Sequence, residues 1–169
     1  NLKNASGTAI LALDDVSLFG LTLSYQYYLM EFLSIGAAYK NYFGQRSVNN
    51  FTNATQDKFD SNFSMLDLFV AGHLRDFYLR LGFLPIYSFE LEKDDETLEL
   101  EGSGVEFALG YLHKFPNSSH CLNFELFGTS GDFDEATVKE GNTTVLSGKL
   151  IHKVEQKATG LNVGWAFQF

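Results

Sequence analysis

The chain has 169 residues, 45% apolar and 15% aromatic, with a formal net charge of −9. That length fits one domain over residues 1–169, the composition excludes a disordered chain, and the charge offers no basic patch for nucleic-acid phosphates. The single Cys121 cannot close an internal disulfide, and no run of about 18 apolar residues is present to cross a membrane as a helix. No N-terminal signal sequence is visible, so an exported chain is expected in its mature form.

Period-2 alternation recurs along most of the chain, whereas a 3.6-residue pattern is almost absent. Fifteen Gly against two Pro suits that reading. The first strand is expected near Thr8–Leu13. "GLTLSYQYY" then sets Leu21, Leu23, Tyr25 and Tyr27 against Thr22, Ser24, Gln26 and Tyr28. "FLSIGAAYK" sets Leu33, Ile35, Ala37 and Tyr39 against Ser34, Gly36, Ala38 and Lys40. A long polar loop is expected from Gly44 to Asn62. "SMLDLFVAGHL" follows, with Leu66, Leu68, Val70 and Leu74 opposite Asp67, Phe69 and His73, and Arg75-Asp76 makes a tight turn.

"FYLRLGFLPIYSFEL" reads as one row from Phe77 through Leu79, Leu81, Phe83, Pro85 and Tyr87 to Phe89, with Arg80 and Gly82 behind it. Asp94 to Glu96 tips the next hairpin, and "GVEFALGYL" returns with Val105, Phe107, Leu109 and Tyr111 opposite Glu106, Ala108 and Gly110. A turn at His113–His120 leads into "CLNFELFG". The last strand is expected from about Leu150 to Phe169; pairing Cys121 with Phe169 puts the final tip near Thr144 and Val145. These segments make eight strands, the last two longer than the 9 to 11 residues that cross a bilayer.

Alternation alone fits a soluble barrel with large apolar residues inward, or a membrane barrel with those residues facing lipid. Volume favours the second. Eight strands enclose just enough room for side chains, too little for rows of Phe, Tyr, Trp and Leu but well matched to Gly, Ala, Ser and Asn. The apolar rows are also uncharged. Tyr27, Phe77, Tyr111, Phe167 and Phe169 fall near one end of their strands, and Tyr39, Tyr87 and Phe89 near the other, as two aromatic girdles would require.

The final "NVGWAFQF" resembles the C-terminal assembly signal of bacterial outer-membrane barrels, with Asn162, Gly164, Phe167 and Phe169 at the matching positions. In architecture the chain resembles small eight-stranded outer-membrane proteins of the OmpA, OmpX and OmpW kind. The resemblance is specific only at the last eight residues. It implies an antiparallel transmembrane up-and-down β-barrel in the bacterial outer membrane. Both termini would be periplasmic and the long loops extracellular. Partners implied are outer-membrane lipid and the barrel-assembly machinery, which reads the last strand. The two long hairpins resemble the protruding sheet of OmpX.

By parity Lys40, Asp67, Arg80, Glu106 and Glu125 point into the lumen, as a paired polar plug or as a gate or proton path; an eight-stranded lumen is normally filled, which favours the plug. Arg80 is expected to be the central cation, with Lys40 nearer the outer rim. Met65, Phe69, Leu84, Ile86 and Phe127 also point inward, as packing or as a small apolar pocket of the OmpW kind. No cofactor and no catalytic or metal residue is expected. Ser118-Ser119-His120 has no obvious orienting carboxylate, His113 and His120 across a turn are a weak metal signal, and the His-x-Ser-Asn motif of lipid A deacylase barrels is absent. Glu90, Glu92, Asp94, Asp95, Glu96, Glu99 and Glu101 make one outer hairpin acidic, either a solvated surface or a site for divalent cations or a basic host ligand.

The expected function is therefore that of a monomeric, non-enzymatic outer-membrane barrel with a structural or surface-interaction role. A carrier or narrow channel for small hydrophobic molecules is the alternative, and an outer-membrane lipid-modifying enzyme the third reading.

Overall fold

The computed structural model describes residues 2–3, 9–11, 19–49, 56–141 and 143–167, with side chains for 19–45, 59–141, 143–151 and 153–166. The strands are β1 (Leu2–Lys3), β2 (Ala9–Leu11), β3 (Phe19–Met30), β4 (Leu33–Asn49), β5 (Gln56–Leu74), β6 (Phe77–Lys93), β7 (Glu96–Lys114), β8 (His120–Glu140) and β9 (Thr143–Phe167). β3 to β9 form one antiparallel meander in chain order, as the alternation implies.

The expected first strand is present at Ala9–Leu11, but it pairs with Leu2–Lys3 in a separate two-stranded sheet. Among the described residues the seven-stranded sheet is therefore not closed, and β3 and β9 are its edges. The sheet is nevertheless strongly curled. Tyr42 of β4 donates from its hydroxyl to Asn162 Oδ1 of β9 at 3.2 Å, across the whole interior.

Short turns join the strands at one end, here called the lower end: Glu31-Phe32, Arg75-Asp76 and residues 115–119. Long hairpins occupy the upper end. Ladder pairing carries β4 and β5 up to Asn49↔Gln56, so most of the expected Gly44–Asn62 loop is strand. The last tip lies at Gly141, between β8 and β9, rather than near Thr144 and Val145, because Cys121 pairs with Ala166 and not with Phe169. Gly141 has φ +56°, a left-handed conformation that glycine adopts without Cβ strain. Its N–H donates to Asp95 O at 2.6 Å, tying two neighbouring hairpin tips together.

Two irregularities decide which way side chains face. Pairing slips between Leu84 and Tyr87 of β6 and between Phe133 and Glu135 of β8. Pro85 has no N–H for the ladder, which makes its neighbourhood a natural bulge. One inserted residue reverses parity beyond it. Tyr87 and Phe89 consequently point into the interior and are buried, while Ile86 is 53% exposed on the convex face. This corrects the expectation that Tyr87 and Phe89 belong to an outer aromatic girdle and that Ile86 lines an internal pocket.

Candidate functional site

The interior has three storeys. The middle one is ionic, and each of six successive strands contributes to it: Lys40, Asp67, Arg80, Glu106, Glu125 and Asn162. Lys40 Nζ donates to both carboxylate oxygens of Glu106, at 2.6 and 2.7 Å. Arg80 Nη2 is hydrogen-bonded to Glu106 Oε1 and, at 2.9 Å, to Glu125 Oε1. Asn162 Nδ2 donates to the same Glu125 oxygen at 3.0 Å, and the Tyr78 hydroxyl donates to Glu125 Oε2 at 2.7 Å. Lys40 thus sits inside this network with Arg80, not nearer the rim as expected. All five charged side chains are buried, so the pairing is what makes the storey tolerable in a low dielectric.

Each cation also faces a ring. Lys40 Nζ lies 4.6 Å from the centroid of Phe127, and the Arg80 guanidinium 4.8 Å from that of Phe69. The ionic storey therefore separates the residues expected to form one apolar pocket. Met65, Leu84 and Phe127 belong to the upper cluster, Phe69 packs below with Ala38, Ala71 and Tyr78, and Ile86 is outside. No single pocket is assembled from them.

The upper storey is an aromatic lid. Phe63 meets Tyr87 edge-on at 4.8 Å, Tyr87 packs on Phe133 at 5.3 Å, and Tyr42 stacks with Phe127 at 5.9 Å. Leu91 and Leu100 complete this cluster. In the lower storey Ser34 Oγ lies 2.8 Å from His73 Nε2, which also contacts Gln26 Nε2 at 3.0 Å, and Tyr28 tilts onto the imidazole at 4.9 Å. Parity alone does not reveal this Ser34–His73 pair, since it needs the β4–β5 register. Ser34 is wholly buried, so its hydroxyl is not open to a substrate.

Small residues make the filling possible. A Cβ on Gly82 would collide with the Asp67 carboxylate, one on Gly110 with the Tyr78 ring, one on Gly36 with Phe69 and one on Gly160 with Phe127. Each glycine is a notch into which a neighbouring strand's side chain lies flat. The sequence shows these glycines as small lumen-facing residues but not that they are required.

Outside the lumen, a groove of about 410 Å3 lies on the convex face, lined by Asn41, Phe43, Gln45, Asp60, Asn62 and Glu90 among others. His120 Nδ1 accepts a hydrogen bond from Trp165 Nε1 at 3.0 Å, and the His113 ring packs against Phe115. Among the described residues no group of three or more His, Cys, Asp or Glu is placed to hold a metal ion. Comparison with known families, curated proteins and solved structures returns no match.

Of the proposed assembly signal, Asn162 has a role inside the barrel through Glu125 and Tyr42. Gly164 has open space where a Cβ would be, so packing among the described residues gives no reason for glycine there. Phe167 ends β9 opposite His120, its side chain outside the described set, and Phe169 lies outside the described residues.

On the upper convex face Lys139 Nζ lies 2.7 Å from Glu99 Oε2, and that hydrogen bond raises the pKa of the lysine above its ordinary value. The acidic hairpin carries further carboxylates in direct register, Glu90↔Glu99 and Glu101↔Glu135.

Proposed function

We propose that the chain is a non-enzymatic β-barrel of the bacterial outer membrane, sealed by its own side chains, that presents its upper hairpins as an interaction surface. One observation carries this reading: the lower sheet is inside out relative to a soluble protein. Its convex face exposes Leu21, Leu23, Leu81, Phe83, Val105, Phe107, Leu126, Leu161 and Val163 while Lys40, Asp67, Arg80, Glu106 and Glu125 are buried behind them. Soluble monomers rarely expose apolar patches beyond a few hundred Å2, whereas lipid-facing strands require them. From Leu66 to Leu74 the belt on β5 runs about 26 Å along the strand, or about 20 Å high at the usual tilt of such strands.

In this reading the short turns and both termini are periplasmic, and the tips near Asp95 and Gly141 are extracellular. Closure between β3 and β9 by a further strand belongs to the proposal, because unpaired backbone groups in lipid cost several kcal/mol each. The barrel-assembly machinery would read β9, and the acidic upper face would meet a basic host ligand or divalent cations. The ionic storey and the aromatic lid stand in series across the lumen. They weigh against a channel, and the divided apolar residues weigh against a hydrophobic carrier.

The sole tryptophan, Trp165, is 57% exposed on the belt near the lower rim, stacked with Phe115 at 5.7 Å. In vesicles carrying brominated acyl chains its fluorescence is expected to be quenched, and planar bilayers should record no steady conductance. Emission unaffected by brominated lipid would remove the membrane reading; a stable conductance would keep it but overturn the seal.

A further inference from the structure

The ionic storey contains three carboxyl groups and two cations, and the hydrogen bonds the cations make go to two of the three carboxyls. Arg80 Nη2 has two hydrogens, directed to Glu106 and Glu125. Lys40 gives two of its three to Glu106, and Glu125 lies 3.9 Å away. Asp67 is left over. Its Oδ2 is 3.6 Å from Arg80 Nη2, too far for a hydrogen bond, and neither of its oxygens receives a hydrogen from any described group. The side chain is fully buried, in the notch left by Gly82. The aromatic lid lies above this storey and Phe69 and Tyr78 below it.

An ionised carboxylate there would be a buried anion with no donor, and the storey would carry a net charge of −1 in a low dielectric. Glu106 and Asp67 both approach Arg80 Nη2, but two carboxylates are both acceptors and can bond to each other only if one of them holds a proton. The charged groups of the storey are Lys40 from β4, Arg80 from β6, Glu106 from β7 and Glu125 from β8. Neither Lys40 nor Arg80 has a hydrogen directed at Asp67.

We propose that Asp67 is a proton-binding site: in the folded chain it is a neutral carboxylic acid whose O–H donates to Glu106, leaving two cations balanced by two carboxylates. A proton kept by the folded chain and lost from the unfolded one makes folding pH-dependent. The folding equilibrium constant should fall tenfold per pH unit as pH rises through the window in which only the folded state holds that proton. Asp67→Asn supplies an N–H donor without a proton to lose, so it should remove that slope.

The test is infrared spectroscopy of the full chain, folded in detergent micelles at neutral pH, with and without carboxyl-labelled aspartate. A protonated-carboxyl C=O band is expected in the wild type, shifted by the aspartate label and absent from Asp67→Asn. Absence of the band, or a band that the label leaves unmoved, overturns the proposal. Those outcomes would favour an ionised Asp67 bridged by water to the unpartnered Arg80 Nε. The wild-type spectra decide the matter even if Asp67→Asn does not fold. They are also independent of the solvent outside the strands, so their failure leaves the proposed location untouched.

Discussion

On the lower part of β6, Leu79, Leu81 and Phe83 point away from the interior and Arg80 points into it. On the upper part of the same strand, Tyr87, Phe89 and Leu91 point in while Glu90 and Glu92 point out. β5 makes the same exchange without a change of parity: its outward row runs from Leu74, Val70, Leu68 and Leu66 to Ser64, Asn62 and Asp60, and its inward row from Asp67 to Met65 and Phe63. The lower half hides charge and shows hydrocarbon; the upper half does the reverse. One sheet thus obeys two opposite patterning rules, separated at the level of Pro85. Under the proposed outer-membrane reading, both rules follow from a change of solvent along the strands, lipid below and water above.

The largest expected effect attacks the hidden charge of the lower half. Arg80→Ala leaves Glu106 and Glu125 without a principal donor and should cost about 3–5 kcal/mol in a denaturant titration. The aromatic lid remains in that variant, so conductance should stay closed; an open channel would mean that the ionic storey alone seals the lumen. Next in size is the lower convex face. Phe83→Arg should cost about 2–4 kcal/mol in lipid, because it places a cation where hydrocarbon is expected.

Gly82→Ser comes third. Although serine is small and polar and the position faces the lumen, its Cβ would displace the Asp67 carboxylate, so a loss of about 1–3 kcal/mol is expected. A mild effect there would mean that Asp67 has room to move. The smallest change is expected from Glu90→Arg on the upper convex face, within about 0.5 kcal/mol in the same titration, since that side chain is in water on either side of the substitution. Equal penalties for Phe83→Arg and Glu90→Arg would erase the distinction between the halves.

The sequence makes the strands legible wherever alternation is uninterrupted. Lys40, Asp67, Arg80, Glu106 and Glu125 are all recoverable as inward residues from parity alone. Parity fails at the bulges, because a single inserted residue is invisible to a period-2 count. Ile86, Tyr87 and Phe89 lie on the opposite face from the one that parity predicts for that one reason, and Pro85 is the available cue. Contacts across the lumen are a different kind of loss. That Tyr42 reaches Asn162, or that Lys40 rather than Arg80 alone neutralises Glu106, depends on curl and shear, which no local pattern encodes. The polar composition of Gly44–Asn62 predicts a loop, but its described parts, 44–49 and 56–62, are strand, because polar residues suit the outer face of the upper half.

The most direct measurement of the two-solvent account is spin-label accessibility at Phe83→Cys and Glu90→Cys, each in a Cys121→Ala background, with the chain reconstituted in lipid vesicles. The account predicts that the label at Phe83 relaxes through oxygen dissolved in the acyl chains and ignores a water-soluble nickel chelate. The label at Glu90 should respond to the chelate. Chelate access at both positions would contradict it, and the inverted lower half would then need an explanation other than lipid.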